Sequence, residues 1–328
     1  MYAHCLGTDS LSNIRVTVCR ELLPAGAGPL ADRFELVRGG LDADRERILA
    51  LVAGAGAVVS DPTVDVDSEL LAAAGPQLRV VANFAVGTDN IDLEACRASG
   101  VTVTNTPDVL TNATAELALG LTLAAARRLG EAERDLRAGS WTGWDPRAYR
   151  GLELSGATVG VVGLGRIGAR YAELLSGFEV ELLYAGPSRK PEAEQRLGAR
   201  RAKLSELLAE ADVISLHAPA SPATRHLIDA GALRLVRPEA VLVNTSRGAL
   251  VDLGAVAAAL REGRLGAAGL DVFEGEPGVP REILEAPRAV LTPHVGSATV
   301  HARDAMARAV AENVIAVLEG LEPPNPVR

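Results

Sequence analysis

The chain has 328 residues, long for one hydrophobic core and suited to two domains. With 48% apolar and 23% charged residues it has the composition of a soluble globular protein. A net charge of -9 gives no general attraction to nucleic acid or anionic membranes, so any anionic ligand must be held by a local site.

Residues 1–13 read as a loose lead-in. Short apolar runs at 15–18, 34–37, 57–59, 79–82 and 101–104 predict strands, with helical patterns between them clearest at 44–53 and 68–74. Alternating strands and helices imply a parallel sheet covered on both faces, a first α/β domain. Within it Val86-Gly87, just past a strand end, has two readings: backbone amides for a carboxylate, or a plain turn. The segment Asn105-Thr106-Pro107-Asp108 breaks the pattern and is taken as the first crossing between domains. One long helical pattern follows over 112–137. Trp141 and Trp144, in an irregular segment, read equally as interface anchors or as core. The Ala/Leu-rich stretch 113–126 contains Glu116 and is too short to span a membrane.

Residues 157–162 predict a buried strand, followed at once by Gly163-Leu164-Gly165-Arg166-Ile167-Gly168, a helical pattern, and a second strand at 180–184. Strand, G-x-G-x-x-G, helix and strand within about thirty residues form a dinucleotide-binding unit. Gly163 allows the tight turn, Gly165 lets the backbone approach a pyrophosphate, and Gly168 lets helix and strand pack closely. Units that bind NAD usually carry Asp or Glu near the end of the second strand for the ribose 2′-hydroxyl. Here Tyr184-Ala185-Gly186-Pro187-Ser188-Arg189-Lys190 has no carboxylate, while Ser188, Arg189 and Lys190 offer donors and charge for a 2′-phosphate. NADP(H) is therefore the expected cofactor, NAD(H) the second candidate; an ordinary solvated basic loop is the other reading.

Further strands at 212–216, 240–243, 267–270 and 290–291 bring the count to six, and their polar ends gather at the carboxyl edge of the sheet. Arg247 and His294 stand at such ends, with Glu276 between them. Reducing a ketone by hydride leaves an alkoxide that needs a proton, which a histidine with a neighbouring carboxylate supplies. Arg247 can hold a substrate carboxylate in a fork. Taken singly, each of the three also reads as an ordinary loop residue. A final helical pattern runs from Ala298 to about Leu318. Cys5, Cys19 and Cys96 have neither C-x-x-C nor zinc-ligand spacing; they read as packing residues in a reducing compartment, and no metal is expected. The N-terminus lacks a basic region followed by an apolar signal core, so the cytoplasm is the expected location.

Six segments together resemble the D-isomer-specific 2-hydroxyacid dehydrogenases, closest to their glyoxylate/hydroxypyruvate reductase branch. They are Ala82-Asn83-Phe84-Ala85-Val86-Gly87-Thr88-Asp89-Asn90-Ile91-Asp92, Ala113-Thr114-Ala115-Glu116-Leu117-Ala118, the glycine-rich turn 162–168, Asn244-Thr245-Ser246-Arg247-Gly248-Ala249-Leu250-Val251-Asp252, Gly269-Leu270-Asp271-Val272-Phe273-Glu274-Gly275-Glu276-Pro277, and Pro293-His294-Val295-Gly296-Ser297-Ala298-Thr299. The resemblance implies two doubly wound parallel-sheet domains. A Rossmann NAD(P) domain, 106–296, is inserted into a flavodoxin-like substrate domain, 1–105 plus 297–328, with a cleft expected to close on ligand. It implies His294 as proton donor, supported by Glu276, the glutamate directly before proline, rather than Glu274. It places Val86, Gly87, Arg247 and Ser297 at the substrate. For the cofactor it implies Gly163, Leu164, Gly165, Arg166, Ile167 and Gly168, the loop Gly186, Pro187, Ser188, Arg189 and Lys190, then Pro219, Thr224, Thr245, Ser246, Asp271, His294 and Gly296. It implies a homodimer in which Trp141 or Trp144 reaches the partner's active site.

The expected activity is NAD(P)H-dependent reduction of a small 2-keto acid, glyoxylate or hydroxypyruvate, to the D-2-hydroxyacid, with no nucleic-acid or membrane partner. Thr88 departs from the Tyr of many relatives, and Gly186 replaces the acidic residue of NAD-specific ones. The regulatory domain appended in many phosphoglycerate dehydrogenases is not expected. Other D-2-hydroxyacids such as 3-phosphoglycerate, or phosphite, are alternative substrates. A cofactor-sensing corepressor is the remote alternative, disfavoured because little chain lies outside the two domains.

Overall fold

The computed structural model describes residues 12–327, so Cys5 and most of the lead-in lie outside the described residues. The chain divides into two compact units, Met1–Leu110 with Ala298–Arg328, and Thr111–Ser297. The division thus falls five residues after Asn105, the last residue of the substrate domain expected from the sequence.

In the first unit, β1 (Arg15–Val18), α1 (Pro24–Ala31), β2 (Glu35–Arg38), α2 (Arg45–Val52), β3 (Ala57–Ser60), α3 (Ser68–Ala74), β4 (Val80–Asn83), α4 (Leu93–Ala98) and β5 (Thr102–Thr104) follow one another. Among the described residues its sheet has five parallel strands in the order β2-β1-β3-β4-β5, the flavodoxin-like arrangement. Aspartates start three of the helices: Asp44, Asp67 and Asp92 each accept from the amide three residues on, at 2.9, 3.0 and 2.9 Å. The central strands β3 and β4 are buried along their whole length, which suits a sheet covered on both sides.

In the second unit come α5 (Thr111–Ala126), α6 (Leu129–Arg137), β6 (Thr158–Val162), α7 (Arg166–Leu174), β7 (Glu181–Ala185), α8 (Pro191–Leu197), β8 (Arg200–Arg201), α9 (Leu204–Glu210), β9 (Val213–Leu216), α10 (Ala230–Leu233), β10 (Val241–Asn244), α11 (Leu253–Arg261), β11 (Ala267–Leu270), α12 (Arg281–Leu284) and β12 (Ala289–Leu291). Its sheet runs β12-β11-β10-β9-β6-β7-β8, every described pair parallel. This is the doubly wound nucleotide-binding order with a seventh strand, not the six expected. The missed strand is β8, two exposed arginines with no apolar signal; it lies third from the centre on the β7 side. Helix α5 packs so closely on β11 that a Cβ on Gly269 would lie 3.0 Å from Leu121 Cβ. Helix α13 (Val300–Leu318) then returns to the first unit, where Gly26 of α1 lies so close that a Cβ there would meet Ala307 O at 2.3 Å.

The single helix expected over 112–137 is two. Arg128 adopts φ +53° between α5 and α6, and the returning chain caps the break: Leu152 N–H donates to Ala126 O at 2.8 Å. Trp141 and Trp144 are 58% and 85% exposed, which overturns their reading as core. Cys19 and Cys96 are buried free thiols, as packing residues should be. Among the described residues no helix is long and apolar enough to cross a membrane, and no His, Cys, Asp and Glu group could hold a metal ion.

Candidate active site

Because every strand of the second unit is parallel, the loops after β6, β7, β9, β10, β11 and β12 leave the same edge of the sheet. At the first, Gly163 has φ +95° and a Cβ there would press on Ala218 N and His217 C at 2.8 Å. A Cβ on Gly168 would sit 2.2 Å from Gly163 O. Gly165, the N-cap of α7, faces open space instead: nothing lies within 4 Å of its Cβ position. Leu164 is buried, whereas Arg166 and Ile167 open the helix. Two glycines packed by necessity and one facing outward, at the N-terminus of α7, make a cradle for a phosphate anion.

Beside it the polar loops brace one another. Thr224 Oγ1 donates to Pro219 O at 2.8 Å. Ser246 Oγ donates to Ala218 O, and Asn244 Nδ2 to Arg247 O at 2.8 Å. Thr245 Oγ1 is buried with no hydrogen-bond partner among the described residues, an orphan that a ligand group would satisfy. The cradle and this orphan fit a dinucleotide.

His294 lies at the end of β12 with φ +52°. Its Nδ1 is 2.7 Å from Glu276 Oε2, and Phe273 N–H donates to Glu276 Oε1 at 2.7 Å. The Glu276 hydrogen bond raises the His294 imidazole above its ordinary value against the opposing pull of burial. Burial alone would raise Glu276; the His294 bond, the Phe273 amide and the charges of His294 and Arg247 hold its carboxyl below the usual range. The buried Asp271 carboxylate gathers the loop carrying His294: it accepts from Thr292 Oγ1 at 2.6 Å, Val295 N at 2.8 Å and Gly296 N at 2.9 Å. Burial raises Asp271 despite these bonds. Ser297, half-buried, is the last residue of this unit. Arg247 Nη1 donates to Ser246 O at 2.8 Å.

Two supports escape sequence reasoning. Glu274 is gripped by Arg225 Nη2 at 2.8 Å and by His226 Nε2 at 2.7 Å, so both glutamates of the 273–277 loop are held, by different partners. Glu194, one turn into α8, reaches back to Arg189. The stretch 184–190 lacks a carboxylate in sequence, yet the fold brings one to it. In that loop Gly186 is half-buried, while Pro187, Ser188, Arg189 and Lys190 are exposed.

In the first unit, Asn105 Nδ2 donates to Val86 O at 2.8 Å and Asn83 Nδ2 to Gly87 O at 2.7 Å. Ser60 Oγ fixes Asn83 at 3.0 Å, and Asn90 ties the same loop to Asp61 O and Val64 O, each at 3.0 Å. A trans peptide sets N–H opposite C=O, so the anchored Val86 carbonyl turns Gly87 N–H away from Asn105. Neither asparagine is identifiable as a loop brace from spacing alone.

A doubly wound sheet with a glycine cradle, and a histidine–carboxylate pair on the same edge, defines a nicotinamide-dependent oxidoreductase. The family profile described as "D-isomer specific 2-hydroxyacid dehydrogenase, NAD binding domain" matches residues 119–296. The glyoxylate reductase of Thermococcus litoralis is 48% identical over 282 residues, 85% of each chain. That of Aeropyrum pernix is 46% identical over 318 residues, 95% of each chain. Among solved structures, a protein of Thermus thermophilus is 43% identical with TM-score 0.90, covering 96% of this chain and 100% of that one. An NADPH-dependent glyoxylate/hydroxypyruvate reductase of Sinorhizobium meliloti, in complex with NADP and malonate, is 36% identical with TM-score 0.85, covering 96% of both. The chain belongs to the D-isomer-specific 2-hydroxyacid dehydrogenase family.

Proposed function

We propose that this enzyme reduces glyoxylate and hydroxypyruvate, using NADPH in preference to NADH. The observation that carries the reading is the His294–Glu276 pair, a proton donor held by a carboxylate at 2.7 Å on the edge of a dinucleotide-binding sheet. The names of the relatives at 42–48% identity supply the substrate class. The bound nicotinamide supplies the hydride. His294, with Nδ1 turned to Glu276, has Nε2 left to deliver a proton to the alkoxide oxygen, and the carboxylate favours the charged imidazole that does so. Arg247 pairs with the substrate carboxylate, and we assign Val86 and Gly87 amides of the first unit, with Ser297, to the same group. The first unit is then the substrate domain and the second the cofactor domain. Gly163 to Gly168 take the pyrophosphate; Gly186 to Lys190 take the adenosine ribose and its 2′-phosphate. Pro219, Thr224, Thr245, Ser246, Asp271, His294 and Gly296 line the remaining cofactor site.

Support for a homodimer comes from α6 and the segment after it, where Leu129, Leu136, Trp141 and Trp144 are all exposed. A cytoplasmic location is part of the same proposal. Initial rates with glyoxylate and hydroxypyruvate, each with NADPH and NADH, test the central reading. Turnover of either keto acid with a higher kcat/KM for NADPH is expected. No turnover of both would remove the substrate assignment, and equal or better use of NADH would remove the cofactor preference.

A further inference from the structure

Arg189 is not an idle cation. Its Nε lies 3.1 and 3.0 Å from the two Glu194 carboxylate oxygens, and its Nη2 is 2.8 Å from Oε2. Tyr184 at the end of β7 donates its hydroxyl to Glu194 Oε1 at 2.5 Å, and its oxygen accepts from Lys190 N–H at 3.0 Å. Glu194 is thereby fixed, its side chain 15% exposed, while Arg189 beside it is 69% exposed. The neighbouring Arg201 binds the backbone instead, donating from Nη2 to Gly186 O at 3.2 Å and Pro187 O at 3.4 Å.

We infer that Glu194 is an internal rival of the cofactor's 2′-phosphate for Arg189, and so sets how strongly the enzyme distinguishes NADPH from NADH. The inference rests on the reading of the 186–190 loop as the 2′-phosphate site. A guanidinium fork accepts a carboxylate and a phosphate monoester with the same geometry. The Nε–Nη2 edge of Arg189 already faces a carboxylate. NADPH must take Arg189 from that carboxylate or share it, and must also place a second anion beside Glu194. NADH carries a hydroxyl at the same position and meets neither cost. Glu194 therefore weakens NADPH binding selectively, and the NADPH preference proposed above is what remains after that opposition.

Glu194→Gln tests this, because the amide oxygen still accepts from Tyr184 while the competing charge is gone. Calorimetric titration with NADP+, NAD+ and adenosine 2′,5′-bisphosphate reads binding without turnover. In Glu194→Gln, Kd for NADP+ and for the bisphosphate should fall by about two- to five-fold, the range spanned by an exposed ion pair. Kd for NAD+ should stay unchanged. An unchanged or weaker NADP+ affinity would overturn the inference, the weaker result meaning that Glu194 positions Arg189 for the phosphate. Arg189→Ala separates the two levels. If it weakens NADP+ while Glu194→Gln strengthens nothing, the rivalry alone falls. If it leaves NADP+ affinity untouched, the assignment of the 2′-phosphate to this loop falls, and the rivalry with it.

Discussion

Replacing Glu276 by Gln keeps an oxygen to accept from His294 Nδ1 and removes the charge. At the observed 2.7 Å contact the charge centres are about 4 Å apart, worth about 4 kcal/mol at an effective dielectric near 20. The two side chains are 39% and 29% exposed, so solvent screening reduces this to about 1–2 kcal/mol. The sign follows from the role. Reduction needs the protonated imidazole, so kcat/KM for the keto acid holds at low pH and falls as the pH rises through the His294 pKa. Glu276 raises that pKa, and in Glu276→Gln the falling limb should move toward acid. Oxidation of the hydroxyacid needs the neutral imidazole, so its rising limb should move the same way. The assay is a pair of pH–rate profiles, one per direction, with cofactor saturating. A limb that stays in place, or moves toward alkali, would refute the assignment of His294 as the proton carrier poised by Glu276.

The glycine cradle separates ligand binding from folding. Gly165→Ala meets no atom within 4 Å, so its melting temperature should stay near wild type while NADPH affinity drops about tenfold or more, read by melting curves and titration. Gly168→Ala, with its Cβ 2.2 Å from Gly163 O, should instead cost about 1–3 kcal/mol of stability. Burial pulls His217 down to about 3 from 6.5, so the unfolded chain gains a proton that the folded chain refuses. Stability present above about pH 6.5 is then lost as the pH falls toward 3, with a slope of up to about 1.4 kcal/mol per pH unit. His217→Gln should flatten that slope in urea unfolding measured across mildly acidic pH; an equally steep variant would assign the acid sensitivity elsewhere.

The elements that sequence reveals are those whose signal is local. Helix α3 matches the predicted 68–74, because its apolar period and its Asp67 cap lie within one short stretch. Helix α1 carries no such signal: Pro24–Ala31 holds two glycines and two prolines, and its small residues make sense only beneath α13, far along the chain. Strand β8 is a pair of exposed arginines that pair with β7 and bury nothing. The break at Arg128 depends on residues around 152 folding back to cap α5. At the site, residue types are legible and partnerships are not. Nothing in the spacing says which of Glu274 and Glu276 meets His294, since each is gripped, one by Arg225 and His226, the other by His294 and Phe273. Glu194 stays hidden for the same reason, being a surface residue of α8 until the loop turns Arg189 back onto it.

The seating of α13 in the first unit has a consequence for how the chain is made. Gly26 packs against Ala307, and Arg79 donates to Val317 O and Leu318 O at 2.5 and 2.7 Å, contacts that do not exist until residues 307–318 are synthesised. The second unit, continuous from Thr111 to Ser297, has all its strands available earlier. On the ribosome, the order of completion therefore inverts the order of sequence: the segment translated first waits, with Val16, Ala27, Leu30 and Val80 lacking their cover, while the inserted unit matures. Stop codons or truncations that spare the whole inserted unit but remove the last thirty residues should still leave the N-terminal third unfinished.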